Sequence, residues 1–269
     1  MSRVDFLVCR RESTQPLGLE QMCAASVEPF ESAIDDYFAR GDFLVQQSIE
    51  PTFGSSPELL RLLLLGLLSA TESYFRSILA SLLELCPFSR EHSKPQVFTL
   101  GAADYYKGRQ LGLAILEQKP LSGAAEVRKH TEKLTGFNIR QGSSVEAALR
   151  DFDKLCHLRH AAVHSYGEFG GHNLRVLELE PESRSCLNLD RFKFQRLIGA
   201  SHNVVRAYNG FLFENVVGRW IDKCFLNGTW QEDREQFRSL FMAFRSKHDG
   251  VAPTNAYQAH RKLNWSGRS

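Results

Sequence analysis

From Leu59 to Ala70 the chain places leucine on nearly every side of a helix, and Tyr74, Phe75, Ile78, Leu79, Leu82 and Leu83 continue the apolar pattern towards Leu85. A helix apolar all round has no face to offer water, so it must be wrapped by others. This one segment directs the chain to a helical bundle with a buried central helix. The densest apolar run is about a dozen residues long and contains Arg61, whereas a membrane span needs ~20 apolar residues, so no membrane crossing is expected. Pro57 suits the first helical turn, and Pro87 stops the helix.

Helical spacing recurs elsewhere. Phe30, Ile34, Tyr37, Phe38, Val45 and Ile49 mark a segment from about 27 to 49, with Gly41 as a break or kink. Thr52 to Pro57 reads as a turn, and a short glycine-interrupted helix fits Tyr105 to Leu116. Gly123 to Leu134 is helical in composition, with Gly136 as its stop. Ser143 caps a helix that turns Ala148, Leu149, Phe152, Leu155 and Val163 inward and ends near Gly167. Leu174 to Leu179 and Cys186 to Leu189 alternate apolar and other residues around Pro181-Glu182-Ser183-Arg184, which predicts a β-hairpin. Asp190 caps a long helix reaching about Cys224, and a last helix covers about Gln231 to Lys247. Val4 to Val8 suggests a short strand, and the tail from Asp249 reads as flexible. The expected fold is mainly α, a helical bundle with a small β-hairpin inserted around 174–189. The expected organisation is an N-terminal extension at 1–26, a helical domain at 27–224, and a C-terminal helix and tail at 225–269.

At 269 residues with 43% hydrophobic and 24% charged residues, the chain suffices for one large domain. A net charge of +2 does not announce nucleic-acid binding, although it leaves room for a local basic cleft. Six scattered cysteines without a Cys-x-x-Cys pair, and no signal peptide, point to reduced thiols in the cytoplasm. Phosphate-loop and nucleophile-elbow motifs are missing, which removes support for nucleotide hydrolysis and esterase chemistry.

The stretch with chemical potential is Leu158-Arg159-His160-Ala161-Ala162-Val163-His164-Ser165-Tyr166-Gly167. An arginine neutralises phosphate charge and a histidine moves protons near neutral pH. Spacing alone is weak. Three Arg–His pairs lie five to seven residues apart (Arg150–His157, Arg196–His202 and Arg159–His164), where roughly two are expected by chance. Only the last combines a polar residue directly after the arginine with a glycine stop shortly after the histidine. On an ideal helix five residues rotate by about 500°, leaving Arg159 and His164 about 140° apart, while His160 and His164 share a face.

Residues 157–167 resemble the signature of the HEPN superfamily of helical ribonucleases: an arginine, a polar residue, and a histidine a few positions on. Thr71-Glu72-Ser73-Tyr74-Phe75-Arg76 resembles the acidic and aromatic segment on a core helix of such domains. The resemblance implies an endoribonuclease that needs no metal or cofactor and works as a homodimer whose motifs line one cleft. RNA would be cut by its own 2′-hydroxyl, leaving 2′,3′-cyclic phosphate ends. Carried over, Arg159 would stabilise the phosphorane, His164 would serve as acid or base, and His160 would fill the polar helper position. Glu72 would orient Arg159 through a charge-assisted bond. Tyr166 has no counterpart in the motif, but its phenol could stack on a base. A toxin or antiviral defence effector, restrained by a regulatory partner protein, is a common setting for that superfamily.

Each assignment has a plainer alternative. His164 could serve the helix C-terminal dipole, and Glu72 suits an internal ion pair better than proton transfer. Cys156, His160 and His164, with His157 beside them, offer possible metal ligands on one helix, but a closed site recruits from two segments, so no metal is expected. The aromatic late helix (Tyr208, Phe211, Phe213, Trp220) reads as core or dimer interface. Arg238, Arg245, Lys247, Arg261, Lys262 and Arg268 could track an RNA backbone or form a solvated face. The rival reading is a non-catalytic helical module that binds RNA or a protein.

Overall fold

A computed structural model describes residues 18–25, 32–106, 110–180 and 183–264. The expected strand at Val4 to Val8 lies outside them. The described chain is a helical bundle: α1 (Ala33–Ile49), α2 (Pro51–Gly54), α3 (Pro57–Leu85), α4 (Pro87–His92), α5 (Leu100–Tyr105), α6 (Leu111–Leu116), α7 (Ala124–Thr135), α8 (Ser144–His164), α9 (Gly171–Val176), α10 (Arg191–Asp222), α11 (Trp230–Phe244) and α12 (Pro253–Asn264).

α3 is the axis of the fold. α1, α6, α8 and α10 pack around it, and Leu60, Leu64, Leu67, Leu68, Phe75, Ile78 and Leu79 are fully removed from solvent. By length and composition α3 passes as a membrane span, yet 56% of its most apolar window is buried within the bundle. Its aromatic residues interlock with the neighbouring helices. The Phe75 ring meets Tyr208 of α10 edge-on at 4.9 Å and Phe152 of α8 at 5.3 Å. Edge-to-face pairs of this kind stabilise by roughly 0.5–1.5 kcal/mol beyond the area they bury.

Buried hydroxyls set the register of these helices. Ser201 of α10 bonds Tyr37 of α1 at 2.6 Å and Thr71 of α3 at 2.8 Å, while Thr71 donates to the Leu67 carbonyl. Tyr208 is joined to Thr131 of α7 at 2.6 Å. Each polar atom thus has a partner, which removes the penalty of burying it.

Capping follows the residues that mark it. Ser56, Ser143 and Asp190 accept from the amides of Leu59, Glu146 and Lys193. Gly136, at φ 71°, closes α7.

Four expectations are corrected. Gly41 neither breaks nor ends α1. A β-carbon there would lie 3.2 Å from His202 Nε2, so the glycine lets α10 approach closely. Part of the turn expected at Thr52 to Pro57 is helical, as α2. The β-hairpin around 174–189 is not formed. Leu174 and Leu177, three apart, suit one face of a helix but opposite faces of a strand, and α9 takes the start of that segment. Among the described residues the pairing is a single antiparallel bridge between Glu168 and Cys186, with Phe169 donating to the Ser185 carbonyl and Leu187 to that of Gly167. Finally, the chain after Asp249 is not wholly a loose tail: α12 packs on α11. Tyr257 is fully buried and its hydroxyl donates to Asp233, which also accepts from the amides of Asn227 and Gly228.

Candidate functional site

The first half of α8 is anchored in the core by Leu149, Phe152 and Leu155, with the buried Glu146 paired to Arg128 at 2.9 Å. Its last two turns emerge at the surface. Val163, expected inside, is 52% exposed on this emergent part of the helix.

Arg159 points towards α3 and is ion-paired with Glu72 there; both are partly screened from solvent. His160 and His164 lie on another face of α8, exposed, with ring centroids 4.6 Å apart. No hydrogen bond or ring contact joins Arg159 to His164 among the described residues. The helix stays regular through His164, so the two side chains keep the divergence that an ideal helix imposes.

His160 titrates below the ordinary histidine range. Partial loss of hydration is the first cause, followed by the positive charges of His164, His157, His172 and Arg159. It is therefore largely an uncharged imidazole at neutral pH, suited to accepting a proton. Cys156 is buried and its thiol is pushed up to about 12. It stays protonated at neutral pH, which disqualifies it as a nucleophile or a ready metal ligand. Among the described residues no group of three or more His, Cys, Asp or Glu side chains is arranged to hold a metal ion.

The chain leaves α8 through two successive positive φ angles, 50° at Tyr166 and 98° at Gly167. Glycine is required at the second: a β-carbon there would collide with the Arg61 guanidinium. Arg61, from the leucine-rich part of α3, is nearly buried. It donates to the carbonyls of Tyr166 and Leu187 at 3.1 and 3.3 Å, reaches Cys186 Sγ at 3.2 Å, and pairs with Glu58 at 2.9 Å. It also lies 5.5 Å from the centre of the Tyr166 ring, which is otherwise open to solvent. Arg61 thus pins the backbone that follows His164 to the central helix. Sequence reasoning missed this role, although an arginine inside a leucine run signals a partner that must exist somewhere.

Two further residues were not anticipated. His172 and Asn173 of α9 sit beside His157. The buried Asn173 carbonyl oxygen is 3.2 Å from His157 Nδ1, and the His157 and His172 rings are 5.8 Å apart.

The aromatic residues of α10 lie inward. Tyr208 and Trp220 are core, and Phe211 and Phe213 pack against that core, the first of the two roles expected of them. A concavity of about 940 Å³, lined by residues such as Leu83, Arg90, Lys94, Ile115 and Trp220, shares no residue with the α8 terminus. The histidines occupy open surface. Set against protein-family models, characterised proteins and solved structures, the chain matches none.

Proposed function

We propose that the chain is an endoribonuclease that cuts by attack of the ribose 2′-hydroxyl and leaves 2′,3′-cyclic phosphate and 5′-hydroxyl ends. One observation carries this reading: at the exposed end of α8 an arginine held by a carboxylate stands beside two adjacent imidazoles on open surface. Such a set supplies what the chemistry asks for, namely a fixed positive charge for the phosphorane and imidazoles that can take up and give back a proton. The resemblance of residues 157–167 to the HEPN signature supports the same conclusion. Uncharged His160 suits removal of the 2′-hydroxyl proton, and His164 then returns a proton to the departing 5′-oxygen. Glu72 fixes Arg159, and Tyr166 offers a ring for a base.

Because Arg159 and His164 diverge within one chain, the reading includes a homodimer in which the arginine of one protomer faces the histidines of the other. Val163 and Tyr166, both largely exposed within the motif, give that contact apolar surface. The same divergence favours the second reading, a non-catalytic module in which the Arg159–Glu72 pair only braces α8 against α3.

Labelled RNA incubated with the protein in chelator is expected to yield cyclic phosphate ends, and 2′-deoxy positions are expected to resist cutting. A mixture of Arg159→Ala and His164→Ala protein regains activity if the site is shared between protomers. Cleavage that requires a divalent ion contradicts the mechanism, and no cleavage by the wild-type chain favours the non-catalytic module.

A further inference from the structure

The proposed chemistry uses His160 and His164 and leaves His157, His172 and Asn173 without a role. His157, His160 and His164 lie at i, i+3 and i+7, so one face of α8 carries all three imidazoles. From His157 to the middle of the His160–His164 pair the helix rises about 7.5 Å. Beside His157, α9 presents His172 on the surface, and exposed Arg175 in its last turn continues the basic strip.

The geometry points to a second phosphate subsite, formed by His157 and His172 and steadied by Asn173, that takes the phosphodiester next to the one being cut. This inference rests on the nuclease reading for its substrate, though not for its binding chemistry. Asn173 is 3% exposed, and its side-chain oxygen can only accept, so Nδ1 of His157 carries the hydrogen of the 3.2 Å bond. On protonation the remaining Nε2–H is left for an anion, with the ring already oriented.

Charge in the neighbourhood favours an anion too. Three carboxylates near the α8 terminus have partners of their own: Glu72 pairs with Arg159, Glu168 with Arg184, and Asp153, one turn before His157, accepts from the amide of Ala124. The groups acting on His160, namely His157, His164, His172 and Arg159, are all cationic when charged. Imidazoles gathered this closely repel one another when protonated, and a bound phosphate relieves that repulsion.

The test compares a dinucleoside monophosphate, which has only the scissile phosphate, with a pentanucleotide. The wild-type chain, His157→Gln and His172→Gln are assayed on both. Each variant should raise KM for the pentanucleotide by about tenfold more than for the dinucleotide, the loss expected for one charge-assisted bond to phosphate. Equal penalties on both substrates, or none on either, overturn the subsite. His172→Gln leaves the His157–Asn173 bond in place, so it decides the matter if His157→Gln unseats α9. A fluorescent pentadeoxynucleotide, bound but not cleavable, separates this inference from the reading beneath it. Affinity that rises on acidification and falls in both variants upholds the subsite even if RNA is not cut. RNA cutting with no change in either variant's binding leaves the nuclease and removes the subsite.

Discussion

Two groups of histidines in this chain differ in what surrounds them, and under the proposed function the difference separates a structural role from a chemical one. His130, His202 and His260 are wedged among helices. The His202 ring meets Tyr37 and Phe38 edge-on, His260 meets Phe213, and His130 is buried on α7. Burial is the first cause of the low proton affinity of all three. His157, His160, His164 and His172 instead gather at the exposed end of α8, with Arg159 behind them and no carboxylate ion-paired to them among the described residues. A histidine held neutral by its packing contributes shape, whereas a histidine kept at the surface among cations remains able to exchange protons and meet an anion.

Arg61 ties the second group to the core, so its loss should have the largest effect on the comparison. Arg61→Met strips donors from the Tyr166 and Leu187 carbonyls and should cost about 2 kcal/mol of stability. In a chain of this size that lowers Tm by roughly 4–8 °C. Activity per folded molecule should fall as well, because the backbone after His164 loses its tether. A Tm change with full activity per folded molecule would show that the α8 terminus needs no such support.

A smaller effect sharpens the other side. The folded-state affinity of His130, His202 and His260 for protons lies below that of the unfolded chain, so the unfolded state binds more protons on acidification. Their contribution to stability is complete above about pH 6.5 and declines as pH falls through the lower folded-state values. Tm should therefore drop between about pH 7.5 and pH 5.5, and His202→Gln should flatten the drop. A Tm that climbs over this interval would contradict the assignment.

Much of this arrangement is written locally. The leucine run places α3, and the serines and aspartate that cap helices place the starts of α3, α8 and α10. Even the divergence of Arg159 from His164 follows from helix rotation. What escaped is non-local or ambiguous. Arg61 finds its acceptors 105 and 126 residues away, a distance that no spacing rule reaches. α9 begins three residues before the segment read as a strand and overlaps only its first half, so the His157–Asn173 contact lay in a stretch to which no element was assigned. The burial of Tyr257 against Asp233 likewise depends on a partner that α12 alone does not reveal.

The central claim is that the surface histidines do chemistry and the wedged ones hold shape. The most direct measurement is single-turnover RNA cleavage in chelator by His164→Ala and His202→Ala, each beside its own Tm. The account predicts that His164→Ala loses about 10²–10⁴-fold in rate with Tm nearly unchanged. His202→Ala should lower Tm while keeping its rate per folded molecule. Equal rates in His164→Ala and the wild type, or a rate loss confined to His202→Ala, would contradict it.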